Sequence, residues 1–509
     1  MPKLGMRGHA MSEHDAFATL LIRPARMAEP PPPPADLLAD LPAPMLGGLM
    51  LLARLLADPD LAPPDLAHAV GNPPGIRRTI EALNAAIDIR LGRQLNLVLH
   101  HPEFQALEAS WRGLHYLARG VASDETLKIR LFDISQRELG RTLRKFRGGA
   151  WDHSPIFKKI YEEEYGQLGG EPFGVLIGDY EFDHQPQSIQ ILADMAAIAA
   201  AAHVPFIAGA APSLTQMDSW AELANPRDLG RIFLTPDYAA WRALRAMEDA
   251  RYVGLCMPRM LSRLPYGMDT DPIDDFAFEE DVEGPDARAY GWANAAFAMG
   301  ANIARAFSLY GWCTRIQGIE SGGIVEDLPV LRFSTADGDV DTRCSTEIML
   351  DERREAELAR LGLIALVHRK NSDVAAFISA HSLHRPVEYD DAAATANAVM
   401  SSRLPYMFAC CRFAHYLKCL VRDKVGGTMS RVQLQEWLTD WLGGYIDGSP
   451  TTSSEEWKAS HPLEQGEVVL EERPDNPGQH EAKFYLKPHY QLEGLTVALR
   501  LVSRLPSQQ

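Results

Sequence analysis

The stretch Gly169–His184, GGEPFGVLIGDYEFDH, decides how this chain is read. Phe173–Ile177 is a short apolar run bounded by Gly170 and Gly178, the size of a strand buried in a sheet and too short for a helix. An alanine-rich helical segment follows, Gln187–Ala202, and then a second apolar run, Val204–Ala208. Helical Tyr238–Ala250 and a third run, Tyr252–Met257, complete the alternation. Strand, helix, strand, helix, strand predicts an α/β fold with a central, largely parallel sheet and helical crossovers.

The same stretch holds the most enzyme-like residues. Asp179, Glu181 and His184 follow the predicted strand, where α/β enzymes place their ligands. Paired carboxylates beside a histidine suit acid–base work or a metal. The nearby glycines do not spell a dinucleotide fingerprint, and the chain has no P-loop, nucleophile elbow or H-E-x-x-H. The residues therefore favour a loop in which Asp179 and Glu181 satisfy backbone N–H groups or pair with arginines. A metal- or acid–base-dependent enzyme using Asp179, Glu181 and His184 is the alternative. His100-His101 reads as a helix cap or surface pair, and Gly322-Gly323 as a turn before a strand. No cofactor or metal is expected.

Upstream, "HHPEFQALEASWRGLHYL" opens a helix through Pro102, with Phe104, Leu107, Trp111 and Leu114 as one core-facing apolar stripe. "TLKIRLFDIS", Thr126–Ser135, reads as a strand. Downstream, Ala289–Tyr310 reads as a long helix, and Ile348–Leu350 and Ile364–His368 as strands. The character changes at the polar "RPVEYDDAAAT". Helices over Pro405–Val421 and Arg431–Tyr445 then lead into a three-strand meander, Glu467–Glu472, Ala482–Tyr490 and Leu495–Leu505. In its last strand Leu495, Val497, Leu499 and Leu501 share one face. This divides the chain into a flexible region 1–72, an α/β domain 73–384 and a C-terminal domain 385–509. The first holds a short amphipathic segment, with Phe17, Leu20 and Leu21 at helical spacing, and the polyproline spacer Pro30–Pro34.

Composition narrows the partners. The formal net charge of -18 argues against a nucleic-acid surface and against anionic membrane. Within it, Arg259–Arg263 is a candidate local basic patch, but reads rather as a solvated or internally paired arginine set. Six scattered cysteines without a C-x-x-C pair read as reduced thiols. Leu46–Leu56, the longest apolar run, contains Arg54 and is far short of the ~20 residues a membrane helix needs. With no apolar signal segment at the N-terminus, the reading is a cytoplasmic protein without membrane insertion.

Several motifs, in one order, resemble the large sheath subunit of the type VI secretion system (the TssC/VipB, EvpB family). They are "LHHPEFQALEASWRGLHYL", "YEEEYGQLGGEPFGVLIGDYEF", "AHVPFIAGA", "EDARYVGLCMPRMLSRLPYG", "GIESGGIVEDLP", "LPYMFACCRFAHYLK" and "LKPHY". The likeness runs from about Leu91 to the C-terminus. The resemblance implies a structural protein of a Gram-negative bacterium, phage-tail-sheath-like, and no enzyme. It implies heterodimers with the small sheath subunit (TssB/VipA), stacked with neighbouring copies as hexameric rings around an inner Hcp tube on a baseplate. Contraction would drive the tube out, and the AAA+ unfoldase ClpV would then dismantle the sheath. It implies inter-subunit strand pairing by Phe484, Leu486, Leu495, Val497, Leu499 and Leu501, and unfoldase recognition by Phe17, Leu20 and Leu21. A non-contracting sheath-like scaffold is the further alternative.

Overall fold

The computed structural model describes residues 73–489, apart from 122–124, 226–227, 275, 283–289, 335–339, 343, 425–429 and 473–479. Phe17, Leu20 and Leu21, and the strand residues Leu495, Val497, Leu499 and Leu501, lie outside the described residues. The chain divides into two compact units, Met1–Leu97 with Pro272–Glu280, and Val98–Asp271 with Asp281–Gln509. In the first, helix α1 (Pro73–Leu99) has Gly92 beside the ring of Phe278, and Asn96 donates to the backbone carbonyl of Glu279 at 3.4 Å.

The second unit is built on strands β1 (Leu176–Phe182), β2 (Phe206–Ala210), β3 (Val253–Met257), β4 (Met260–Leu261), β5 (Trp292–Ala293), β6 (Ile324–Val325), β7 (Arg332–Ser334), β8 (Val340–Thr342), β9 (Leu363–His368) and β10 (Ala375–Phe377). Six of them form one sheet in the order β1-β2-β3-β9-β10-β6. β1, β2, β3 and β9 run parallel, and β10 and β6 close the sheet antiparallel. The predicted α/β architecture with a largely parallel sheet is therefore present.

Alternation along these strands explains why the sheet is covered on both sides. Phe206, Ala208 and Ala210 of β2 join a core with Leu192, Met195 and Ile198, on α4 (Pro186–Ala202), and with Trp241. Between them, Ile207 points to the opposite core, with Phe297, Met299 and Ile303 of α6 (Ala296–Tyr310). β3 and β9 repeat the pattern, with Leu255 and Ala365 on the first side and Cys256 and Ile364 on the second. Trp220, Trp241, Tyr238 and Phe182 are fully buried. Each such side chain contributes roughly 1.5–3 kcal/mol by leaving water.

Five local readings differ from the structure. β1 runs to Phe182, so Asp179 and Glu181 lie within the strand; as an edge strand of the described sheet it tolerates polar side chains. Thr126–Ser135 belongs to no strand; Lys128 and Arg130 pair with Glu171 and Glu164. Ala289–Tyr310 is split between β5 and α6, and Ile348–Leu350 is not a strand. Finally, α2 (Pro102–Arg119) buries Ala109, Gly113 and Leu117, while Phe104, Leu107 and Trp111 stay exposed. The small side of the helix makes the tight contact: a Cβ on Gly113 would come within 2.3 Å of the Phe297 ring on α6. At Gly322, φ is +87° and a Cβ would meet the Arg315 carbonyl, which is the turn the Gly322-Gly323 pair predicts before β6.

After His384 the chain turns helical again, with α8 (Leu404–Lys424) and α9 (Arg431–Gly443). Ser430 and Gln433 form a capping box at the start of α9. Strands β11 (Leu463–Glu472) and β12 (His480–Pro488) follow as an antiparallel hairpin.

Candidate functional site

Two places carry the functional question: the carboxylates of β1 and the terminal hairpin.

At β1, Arg259 decides the arrangement. Its guanidinium makes a two-pronged contact with Glu347, Nε to Oε2 at 2.8 Å and Nη2 to Oε1 at 3.0 Å. The Glu347 carboxylate is buried, and Ser219 donates to it at 3.1 Å. Glu181 stands farther off, 3.7 Å from Arg259 Nε. One cation thus serves two carboxylates. Burial pushes Glu181 above the usual carboxylate range, and Glu347 pushes it further against the pull of Arg259. Asp179 is exposed.

His184 faces elsewhere. Its Nδ1 lies 2.8 Å from the Ser213 carbonyl, and its ring stacks on Tyr238 at 4.9 Å. Among the described residues, no three His, Cys, Asp or Glu side chains are grouped to hold a metal ion. The trio is therefore not one constellation: Glu181 belongs to an arginine-centred ion pair and His184 to an aromatic stack. Glu181 thus takes the arginine pairing, one of the two roles the sequence reads for the carboxylates, whereas Asp179 has Ser110 and Asn294 as partners. The Arg259–Arg263 set is internally paired throughout, since Arg263 Nε meets Glu108 at 2.6 Å and lies over the Tyr266 ring. Glu347 and Glu108 are 88 and 155 residues from their arginines, a separation at which spacing carries no signal. The six cysteines are free thiols, and burial pushes Cys313 and Cys410 up to about 12, which makes them poor nucleophiles.

The hairpin alternates cleanly. Val468 pairs with Phe484 and Leu470 with Ala482, and Val468 and Leu470 are buried. Phe484 and Leu486 pack inward on a core of Trp312, Phe413, Leu417, Leu438 and Leu442. Trp312, Phe413, Trp441 and Tyr445 form its aromatic centre, with Trp312 and Phe413 rings 4.5 Å apart. Glu467, Tyr485 and Lys487 face outward, Tyr485 at 59% exposure. Of the meander's strands, the third lies outside the described residues. Among the described residues this sheet has two strands, so one edge of each carries N–H and C=O groups that no described strand pairs. No helix among the described residues is long and apolar enough to cross a membrane.

An α/β body followed by a short β-hairpin is thus the class that the described fold defines. Comparison with known proteins agrees. The model of the EvpB/VC_A0108 tail sheath N-terminal domain matches residues 81–384, and that of the tail sheath gpW/gp25-like domain matches residues 393–505. A type VI secretion system sheath protein of Pseudomonas aeruginosa PAO1, TssC1, is 59% identical over 430 residues, 84% of this chain and 86% of that protein. Among solved structures, a chain of the anti-feeding prophage baseplate aligns at a TM-score of 0.38 with 10% identity, covering 75% of this chain and 84% of its own. The contracted helical sheath of the same prophage aligns at 0.36 with 11% identity, covering 77% and 86%. The chain belongs to the EvpB/VC_A0108 tail sheath family: it is a structural sheath protein and not an enzyme.

Proposed function

We propose that this chain is the large subunit of a type VI secretion contractile sheath and works in the cytoplasm. It forms heterodimers with a small sheath subunit, TssB/VipA in the resembling family. These polymerise with neighbouring copies around an inner Hcp tube, anchored on a baseplate. The division of labour falls between an α/β domain, 73–384, and a C-terminal domain, 385–509, whose strands join subunits.

The observation that carries this reading is the two-stranded β11–β12 sheet, whose outer edges, beyond the Ile446–Leu463 bridge, pair with no other strand among the described residues, in a chain of the tail sheath family. Main-chain pairing across such an edge is directional and independent of side-chain detail. It suits a joint that must hold while subunits rotate and repack. Phe484 and Leu486 fix β12 to the helices behind it, and Leu495, Val497, Leu499 and Leu501 supply the strand that meets a neighbour. Contraction draws on the free-energy difference between two packings of the polymer. Phe17, Leu20 and Leu21 are proposed as the helix-in-groove signal for the ClpV unfoldase.

Co-expression with the small subunit tests this. Long tubes by electron microscopy are expected, in an extended and a shortened form. Soluble monomers alone would contradict it, and tubes that never shorten would favour a non-contracting scaffold.

A further inference from the structure

Helix α3 (Gln136–Lys145) has two faces of opposite character. Leu139, Gly140 and Leu143 are buried, and a Cβ on Gly140 would come within 2.7 Å of Ile191. On the other side, at helical spacing, stand Arg137, Arg141, Arg144 and Lys145, all exposed. Among the described residues no ion pair engages these four; Arg147, just beyond, pairs with Asp194 at 3.2 Å. Arg137 with Arg141, and Arg141 with Lys145, are like charges at i,i+4, an arrangement that destabilises the helix unless something offsets it. Such a concentration of cations is unusual in a chain with a net charge of -18.

The counterpart lies on the same chain. Met268–Val282 reads MDTDPIDDFAFEEDV, with seven carboxylates and no Lys, Arg or His. Asp269, Asp271 and Asp274 are exposed, and among the described residues no ion pair engages them. Phe278 is buried beside Gly92 of α1. Ile273 and Phe276, half-buried, interleave with the acids. Beside α3, Leu143, Phe146, Trp151 and Met247 line a hollow of about 600 Å³ that suits such apolar side chains.

Identical copies in a tube meet through unlike patches, head to tail. Copies that each carry -18 repel one another on average. A local contact of opposite sign offsets that repulsion and selects one register. Resting on the sheath reading, we propose that the cationic face of α3 on one copy docks the acidic segment Met268–Val282 of a second copy, a contact repeated along the polymer.

The test uses full-length chain co-expressed with the small subunit. Arg141→Glu with Arg144→Glu, and separately Asp271→Lys with Asp274→Lys, should each lower pelletable tubes at least about tenfold. Heterodimers on size exclusion should be unchanged. The four substitutions combined in one chain should restore tubes to within about twofold of the wild type, since the charge pairing is reversed and kept. Normal tubes from either pair, or no recovery in the combination, overturns the proposal. Loss of the heterodimer in the arginine variant assigns the face to the small subunit and also overturns it. Labelled oligouridine retained by wild type and lost in that variant assigns the face to nucleic acid, with the same consequence. Wild-type chain that makes no tubes contradicts the sheath reading separately. Carbodiimide cross-linking of differently tagged copies then still reads the contact: a Lys145 link to Met268–Val282 between copies is expected, and its absence overturns it.

Discussion

The central sheet and the terminal hairpin use the same strand chemistry to opposite ends. β2, β3 and β9 are covered on both faces, one by the α4 side and the other by the α6 side. The β11–β12 hairpin is covered on one face by α8 and α9 and leaves Tyr485 and Lys487 in water. Every strand inside the large sheet has neighbours on both sides, whereas beyond the Ile446–Leu463 bridge at the start of β11 the hairpin's outer edges pair with no strand among the described residues. The difference teaches where a sheath subunit keeps its shape and where it can be joined. Burial on two faces makes a rigid body, and an unpaired strand edge leaves hydrogen-bonding groups to offer.

The largest expected effect is in the central sheet. Phe182→Ala removes a fully buried ring and should cost about 3–5 kcal/mol in urea unfolding of the purified heterodimer. A loss below about 1 kcal/mol would show that this region is not the rigid body. Arg259→Ala comes next, at about 3 kcal/mol, because it strands the buried Glu347 carboxylate. Phe484→Ala, on the half-buried face of the hairpin, should cost about 1–2 kcal/mol. It should nevertheless reduce tube yield more than its stability loss explains. Equal losses of stability and tubes across Phe182 and Phe484 variants would erase the distinction between body and joint.

The smallest effect is a pH dependence. The folded state raises the pKa of Glu181, so the stability from its protonated form is complete below the ordinary carboxylate value of 4.5 and is lost as pH rises through the raised value. Glu181→Gln keeps a neutral group there. Its unfolding free energy should therefore exceed that of wild type increasingly as pH climbs out of that window. Parallel pH profiles would show that burial does not raise the Glu181 pKa in the folded state.

The strands that both cores bury were legible in the sequence, because burial on two faces writes a continuous apolar run, as at Val253–Met257. β1 was harder: at the sheet edge, Asp179 and Glu181 are permitted inside the strand and so disguise its end. Thr126–Ser135 alternates like a strand, but alternation does not supply a ladder partner. On α2 the aromatic stripe looked like the core face, yet Ala109 and Gly113 let α6 approach and left Trp111 outside. Composition says that a helix has an apolar side, while packing chooses which side is used. The carboxylate partners of Arg259 and Arg263 lie too far along the chain for any local pattern to name them. What the residues did carry was the negative finding at Asp179, Glu181 and His184, where no motif supports catalysis.

The central claim is that the C-terminal sheet is completed between subunits. Its most direct test is Leu499→Pro, which removes one ladder N–H from the last predicted strand and leaves the core helices untouched. Co-expressed with the small subunit and viewed by electron microscopy, the variant is predicted to yield no tubes while its chain unfolds at the wild-type temperature. Tubes of normal length from Leu499→Pro would contradict the account.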